Sequence, residues 1–167
     1  GVAGGADVIL LPEIPYEIEK VAKVVEARAK SNKGFTILAV AEGAMDKEEA
    51  KMKKKEREAK RAAEHFSASA YVAQQLRELV GVEARNVVPG HIQRGGSPNA
   101  YDRVLSTQFG VHAAELIRDG VFGVTVALKG NEITHNNLAD IAGVPKLVPE
   151  DDQMVKTAKN MGIIFGD

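Results

Sequence analysis

Two short apolar runs on either side of a helical pattern open the chain. Asp7 to Leu11 is a continuous hydrophobic run stopped by Pro12, which is typical of a buried strand in a parallel sheet. From Tyr16 to Ala29 apolar residues recur at helical spacing, and a second β-capable run spans Phe35 to Ala41. Strand, helix and strand in this order predict a βαβ unit with a right-handed crossover.

The middle of the chain predicts two capped helices and a third strand. Asp46, with Glu49 three residues later, resembles a capping box at the start of a charged helix. Ser67 is expected to begin a helix with an apolar stripe, and Gly81 to end it. Residues 83–88 have the pattern of a third strand. The alternation of strands and helices indicates an α/β fold with a mainly parallel sheet.

The last third predicts a long helix, a hairpin and a final helix. The long helix runs from Asn99 to Asp119, and a tight turn at Gly130-Asn131 joins residues 121–128 to residues 132–134. The final helix extends from about Asp151 to Met161.

The first residues have the pattern of a helix tail. Residues 1–6 are small, and Gly4 or Gly5 fits the C-terminal cap of a helix. Because no helix precedes them, we expect upstream coding sequence to be missing. The alternative is a processed or tagged N-terminus.

Composition narrows the class of protein. The 167 residues contain 22 Lys and Arg against 23 Asp and Glu, a net charge of -1, which argues against a strongly basic nucleic-acid-binding domain. With no Cys, a disulfide framework, a Cys-based zinc site and a thiol nucleophile are excluded. No apolar run reaches membrane-spanning length and no signal-peptide pattern is present, so we expect a cytoplasmic protein without nucleic-acid or membrane partners.

Two further features have ordinary explanations. The charged run from Lys51 to Arg61 fits a solvated helix with mixed-sign ion pairs better than a nucleic-acid-binding surface, since no aromatic residue interrupts it. His65, His112 and His135 are far apart and lack partners at metal-ligand spacing. We therefore predict no metal site within this chain.

Candidate binding chemistry lies beyond the predicted strands. Ligands of open α/β sheets bind at the carboxyl ends of strands, and Glu42 follows the second predicted strand while His91 and Arg94 follow the third. A guanidinium fork suits phosphate, an imidazole can donate to a phosphoryl oxygen, and a carboxylate can accept from sugar hydroxyls. The residues alone equally allow a simple turn, with Ser97 or Asn99 capping the next helix.

This loop carries a resemblance to a known family. Residues 90–98, GHIQRGGSP, followed by YDRVL at residues 101–105, closely resemble the signature of the 6-phosphofructokinases. Other segments agree in order: GGAD at residues 4–7, LPE at residues 11–13, VAEG at residues 40–43, and Arg85 six residues before His91. The resemblance covers nearly the whole chain and places it as roughly the C-terminal half of such an enzyme.

The resemblance implies phosphorylation of fructose 6-phosphate to fructose 1,6-bisphosphate in glycolysis. It implies a three-layer αβα, Rossmann-like sheet as part of the phosphofructokinase fold. His91 and Arg94 would grip fructose 6-phosphate, and Glu42 would bind its hydroxyls. Arg85 would reach the sugar phosphate across a subunit interface, which makes the protein a homo-oligomer, a dimer or a tetramer.

The resemblance also implies an effector site. Gly5, Asp7 and Lys33 fall where allosteric family members bind a nucleotide or phosphoenolpyruvate. Asp7 replaces a more usual Glu, and Ser31 stands where some members have a second lysine. The departure at Ser31 argues against effector control of the usual kind.

The family's catalytic aspartate and nucleotide loop lie in its N-terminal half, so we expect no catalytic residue here. Mg²⁺ and ATP or pyrophosphate would bind mainly to that half, and this chain alone would be inactive. Residues 1–94 and 141–167 would form the sugar-phosphate and effector domain, and residues 95–140 would pack on the N-terminal domain. Without that neighbour the chain is expected to self-associate. The alternative is a non-catalytic module that senses a sugar phosphate.

Overall fold

The chain folds as two units in a computed structural model that describes residues 1–31, 33–63 and 67–167, with only the backbone of Arg94. Gly1–Val87 and Leu147–Asp167 form one unit, here called the α/β unit, and Val88–Lys146 form the helix–hairpin unit. His65 lies outside the described residues. The elements are β1 (Val8–Leu10), α1 (Ile18–Lys30), β2 (Leu38–Val40), α2 (Lys47–Lys51), α3 (Lys54–Ala63), α4 (Ala68–Val80), a 3₁₀ helix (Gly90–Arg94), α5 (Ala100–Arg118), β3 (Val124–Lys129), β4 (Glu132–Asn137), α6 (Leu138–Ile141) and α7 (Gln153–Asn160).

The predicted βαβ unit is confirmed. Strands β1 and β2 pair in parallel, with Val8 opposite Leu38 and Leu10 opposite Val40, and α1 connects them. A parallel bridge from Val8 to Ile164 brings the end of the chain to the other edge of β1. The first strand therefore lies in the middle of the sheet.

The alternation of side chains along β1 builds the two apolar layers. Val8 and Leu10 are fully buried in a cluster with residues of α1 and α4, including Val21 and Val72. The opposite face, with Ile9, packs on a second cluster that contains Val155 and Ala158 of α7, together with Ile14, Ile163 and Phe165. Since the side-chain period of a strand is two, one short strand serves both layers. The αβα arrangement predicted from the sequence is confirmed.

Most of the predicted helix ends are confirmed. The Asp46 carboxylate accepts from the backbone N–H of Glu49 at 2.7 Å, and the Ser67 hydroxyl accepts from Ala70 at 3.4 Å. Gly81 ends α4 in the left-handed conformation, at φ 69°. Residues 1–6 have the hydrogen bonds of a helix C-terminal cap, from Gly5 to Val2 and from Ala6 to Gly1, as their small residues predict.

The third predicted strand is wrong. Residues 83–88 belong to no strand and make no backbone–backbone hydrogen bond with any other described residue. A side-chain donor, Arg77 Nη1, contacts the carbonyl of Ala84 at 3.1 Å, while Val87 and Val88 are 80% and 72% exposed. A segment becomes a strand only where its backbone pairs with a neighbouring strand, and residues 83–88 do not join the outer edge of β2, which is open among the described residues.

The helix–hairpin unit agrees with its prediction. Helix α5 begins with a capping box in which Asn99 and Asp102 exchange backbone and side-chain hydrogen bonds, both at 2.9 Å. Strands β3 and β4 are antiparallel around Gly130 at φ 64°, and β4 continues to Asn137, beyond the expected end. Leu116 is the buried apolar residue of α5.

The charged run from Lys51 to Arg61 is helical and solvated over most of its length, as expected. It is divided at Met52 and Lys53 into the end of α2 and the body of α3, and Lys54 pairs with Glu58 at 3.8 Å. No described helix has both the length and the apolar character needed to cross a membrane.

Candidate functional site

Glu42 lies in a tight turn that follows β2 in the α/β unit, with its side chain exposed. The turn starts where Ala41 N–H donates to the carbonyl of Leu10 at 3.0 Å and closes where Ala44 N–H donates to Ala41 at 3.0 Å. Gly43 is required by close packing, because a Cβ added there would lie 2.9 Å from Cγ of Pro12. The exposed carboxylate therefore projects from a closely packed backbone.

A buried ion pair lies beneath this turn. Arg61 donates from Nε and Nη2 to the two carboxylate oxygens of Glu49, at 3.0 and 2.7 Å, in a bidentate pair. The side chain of Glu49 is 5% exposed and that of Arg61 is 18% exposed. The hydrogen bond to Glu49 raises the pKa of Arg61, so the guanidinium is charged at any physiological pH.

Tyr16, which lies just before the start of α1, is close to the ion pair of Glu49 and Arg61. Its backbone exchanges hydrogen bonds with the next turn, from Tyr16 N–H to Met45 at 3.2 Å and from Lys47 N–H to Tyr16 at 3.1 Å. The ring is 2% exposed. Burial raises the pKa of the Tyr16 phenol well above its ordinary value, and the negative charge of Asp46 adds to that effect. Tyr16 is therefore neutral, and its ring packs among the apolar residues of the core.

Arg85 lies in the unpaired segment after α4, also in the α/β unit. Its guanidinium pairs with Glu83 at 2.9 Å, and its side chain is 86% exposed. The residue lines a cleft of about 490 Å³ between α1, α4 and β2, whose walls are mostly apolar. Glu83, Arg85 and Asn86, all on the segment after α4, are polar members of this lining.

His91 and Arg94 lie in the helix–hairpin unit, within the 3₁₀ helix. His91 is exposed, and the side chain of Arg94 lies outside the described part of the structure. Gly90 at φ 52° and Gly96 at φ 105° flank the helix in conformations that favour glycine. Of the four residues expected to bind the sugar phosphate, Glu42 and Arg85 thus lie in the α/β unit, and His91 and Arg94 lie in the helix–hairpin unit.

Two of the three expected effector residues, Asp7 and Lys33, contact Arg28, which was not predicted from the sequence. Arg28, near the end of α1, pairs with Asp7 at 2.9 Å and accepts at its carbonyl from Lys33 N–H at 3.3 Å. Asp7 also accepts from the backbone N–H of Ile37 at 2.9 Å. The Asp7 carboxylate is therefore engaged within the fold, while Lys33 is exposed and Gly5 forms the cap described above.

The sequence analysis also missed the pairing of Glu49 with Arg61. Glu49 has capping-box spacing from Asp46, yet its carboxylate binds Arg61 rather than the backbone N–H of the cap. Arg61 lies in a run whose other charged residues are solvated. Only the break between α2 and α3 brings the two together, and no helical period spans that break.

Mg²⁺ has no residues to hold it in the part of the chain described. Among residues 1–31, 33–63 and 67–167, no group of three His, Asp or Glu side chains could bind a metal ion. The donor set of these residues therefore does not fit a metal site.

Comparison with known proteins assigns the family. The family model described as phosphofructokinase matches residues 1–117, more than half of the chain. The chain therefore belongs to the phosphofructokinase family, as its signature loop predicts.

Individual relatives support the assignment. The ATP-dependent 6-phosphofructokinase 3 of Bacteroides thetaiotaomicron is 45% identical over 166 residues, which cover 99% of this chain and 45% of that protein. The pyrophosphate–fructose 6-phosphate 1-phosphotransferase of Amycolatopsis methanolica is 42% identical over 152 residues, which cover 90% of this chain and 44% of that protein. The chain spans about half the length of the curated relatives it matches.

A solved structure supports the fold. The pyrophosphate-dependent phosphofructokinase from Marinobacter aquaeolei superimposes with a TM-score of 0.63 over 96% of this chain and 41% of that chain, at 21% identity. The αβα arrangement is thus part of the phosphofructokinase fold.

Proposed function

We propose that this chain is the fructose 6-phosphate-binding part of a 6-phosphofructokinase that makes fructose 1,6-bisphosphate in glycolysis. The observation that carries the proposal is whole-chain similarity to proteins named for that reaction, at 45% identity in the Bacteroides relative. The GHIQRGGSP loop and the Glu42 turn provide the polar groups that the substrate needs.

Each proposed sugar-binding residue has a chemical role that its setting permits. The exposed Glu42 carboxylate accepts from sugar hydroxyls, and its tight turn fixes the direction of that acceptor. Arg85 and Arg94 bind the phosphate through charge-assisted hydrogen bonds, each contributing about 1.5–3 kcal/mol. His91 donates to a phosphoryl oxygen. These groups bind and orient the acceptor sugar, and none of them is proposed to transfer the phosphoryl group.

The phosphoryl donor is left to residues outside this chain. Relatives named for ATP and relatives named for pyrophosphate both match it at more than 40% identity. We propose that Mg²⁺ and the donor bind mainly to the family's N-terminal half, and that this chain alone has no turnover. Within it, residues 1–94 and 141–167 are assigned to sugar phosphate and effector, and residues 95–140 to contacts with that half.

Self-association and a cytoplasmic location are part of the same proposal. Helix α5 exposes four large apolar side chains, the first three of which recur at the spacing of one helix face that self-association would cover. They are Tyr101, Val104, Val111 and Ile117. Arg85, free of the sheet and highly exposed, is proposed to reach the sugar phosphate of a neighbouring subunit in a dimer or tetramer.

Effector binding is proposed at Gly5, Asp7 and Lys33. The ion pair of Asp7 with Arg28 opposes its use as a ligand, because a ligand must compete with a bond already made. Lys33 is exposed and able to attract an anion. We expect any effector to bind through Lys33 more than through Asp7.

Titration of the chain with fructose 6-phosphate, followed by calorimetry or amide NMR shifts, tests the sugar site. Binding is expected to weaken about tenfold or more in Glu42→Ala and in Arg85→Ala. Arg118→Ala is the matched control, since Arg118 is also exposed and paired with an adjacent acid. Fructose without phosphate should bind far more weakly. Equal binding by Arg85→Ala and the unaltered chain would contradict the role of Arg85.

A turnover assay separates the enzyme from the sensing alternative. The isolated chain is expected to form no fructose 1,6-bisphosphate with Mg²⁺ and ATP or with pyrophosphate, and product with either donor would refute its inactivity. The protein from the full reading frame should turn over. Sugar binding without turnover in that protein would favour a non-catalytic sensing module.

A further inference from the structure

We infer that Arg61 is a positioning residue for Glu42: from the far side of the backbone, it fixes the turn that presents the sugar-binding carboxylate. This inference rests on the proposed function, since it assigns Glu42 the role of a sugar ligand. It adds a residue that lies in a charged run and outside the signature loop.

The contacts of Arg61 converge on the turn. Its Nη2 donates to the carbonyl of Ala44 at 2.7 Å, and its Nη1 lies 3.5 Å from the carbonyl oxygen of Glu42, at the limit of hydrogen bonding. One guanidinium thus touches both sides of Gly43. The other described backbone restraint inside the turn is the hydrogen bond from Ala44 to Ala41.

Glu49 fixes the guanidinium itself. Two parallel hydrogen bonds to one carboxylate set the plane of the guanidinium, which a single bond would leave free to rotate. Glu49 is fixed in turn by the N-cap at Asp46, which holds the first turn of α2. The α2 cap thus positions Glu49, Glu49 positions Arg61, and Arg61 positions the Glu42 turn.

Stability alone is a weak reason for such a pair. Removing two charges from water carries a desolvation cost that the pairing often only balances, and apolar pairs of similar volume are frequently as stable. Orientation is a better account, because a planar fork carries direction that apolar packing lacks. Its direction here is toward the carbonyl of Ala44 and that of Glu42, the residue that we propose as a sugar ligand.

The deciding experiment replaces the pair without leaving a buried charge. In the chain carrying Glu49→Leu and Arg61→Met, we expect a midpoint of urea unfolding close to that of the unaltered chain, because the apolar pair fills the site. Fructose 6-phosphate is expected to bind about tenfold more weakly, because the Glu42 turn loses its fork. Arg61→Lys, which keeps the charge but not the fork, should fall between the two.

Arg57→Ala is the matched control. Arg57 lies on the same helix and donates to the carbonyl of Glu49 at 3.3 Å, away from the turn. Its loss should leave sugar binding unchanged. Unaltered sugar affinity in a stable double variant would overturn the inference, and so would an equal loss of affinity in Arg57→Ala.

Amide hydrogen exchange keeps this inference separate from the proposed function. If the unaltered chain binds no fructose 6-phosphate, the proposed function fails while the positioning role is still testable. Exchange at Ala44 in the double variant is then compared with exchange at Ala41, whose N–H bonds to Leu10 in the sheet. Faster exchange at Ala44 alone supports the positioning role of Arg61. Unchanged exchange at both amides overturns it.

Discussion

Two proposed sugar-binding residues of the α/β unit, Glu42 and Arg85, have opposite kinds of support. The Glu42 turn is anchored by the sheet, by close contact with Pro12 and by a buried guanidinium. Arg85 lies in a segment without a backbone partner among the described residues, and its ion pair with Glu83 is open to water. One ligand is preorganised by its own unit, and the other is held by an exposed ion pair.

The difference shows that order in this site depends on the partners that each segment finds in the fold. Leu10 and Pro12 hold the Glu42 turn from the first strand and the residues after it. Asp46, Glu49 and Arg61 hold it from within 20 positions. The segment around Arg85 joins no strand, although the outer edge of β2 is open among the described residues. Preorganised ligands lose less entropy on binding, so we expect the Glu42 side of the site to give direction and Arg85 to add charge.

The largest expected effect contrasts the two ion pairs. Glu49→Ala leaves Arg61 charged and partly buried without its carboxylate, so the free energy of unfolding should fall by about 3–5 kcal/mol. Glu83→Ala removes the exposed partner of Arg85 and should change it by less than about 1 kcal/mol. Urea unfolding followed by circular dichroism measures both. Similar losses in the two variants would abolish the contrast.

A second test adds one methyl group to the Glu42 turn. The new Cβ of Gly43→Ala would lie 2.9 Å from Cγ of Pro12, so the variant should lose about 1–3 kcal/mol of stability through overpacking. Gly110→Ala is the control, since its Cβ would meet nothing within 4 Å and alanine favours the helix. Thermal unfolding of both variants measures these changes in stability. If Gly43→Ala were as stable as the unaltered chain, the turn would not be closely packed against Pro12.

A smaller effect is expected at the start of α2. Asp46→Ala removes the cap that accepts from Glu49 N–H, which should cost about 1 kcal/mol, and Asp46→Asn should restore most of it. Because this cap positions Glu49, binding of fructose 6-phosphate should weaken in the same order. Urea unfolding measures the stability of both variants. If Asp46→Ala were as stable as the unaltered chain, the cap would not support the turn.

The smallest effect at neutral pH concerns Tyr16, beside the buried pair. Burial raises its pKa in the folded chain above the unfolded value near 10, so the folded state keeps a proton that the unfolded state loses. The associated stabilisation is complete below pH 10 and is lost as the pH rises beyond it, by up to about 1.4 kcal/mol per unit. Tyr16→Phe should flatten this alkaline decline, measured by urea unfolding at pH 9 to 11.5. Tyr101→Phe, at an exposed position, should leave it unchanged.

Sequence patterns predicted what is local in this chain. Helix caps depend on neighbours a few residues away: Asp46 and Ser67 were predicted as caps, and Asn99 was one of the two residues predicted for the third. The strand at residues 83–88 was wrong, because pairing depends on an edge elsewhere in the fold. The turn at Glu42 follows from the end of β2, whereas the Arg61 fork depends on a helix break that no periodic pattern encodes.

The positions of the sheet residues along the chain of the α/β unit have a consequence for folding during translation. In this unit β1 is synthesised long before one of its partners, since Ile164 exchanges hydrogen bonds with Asp7 and Ile9 across the sheet. Residues 88–146 emerge in between. During translation β1 must therefore wait with one apolar face uncovered, and this nascent polypeptide should need protection for longer than a domain whose strands are made in succession.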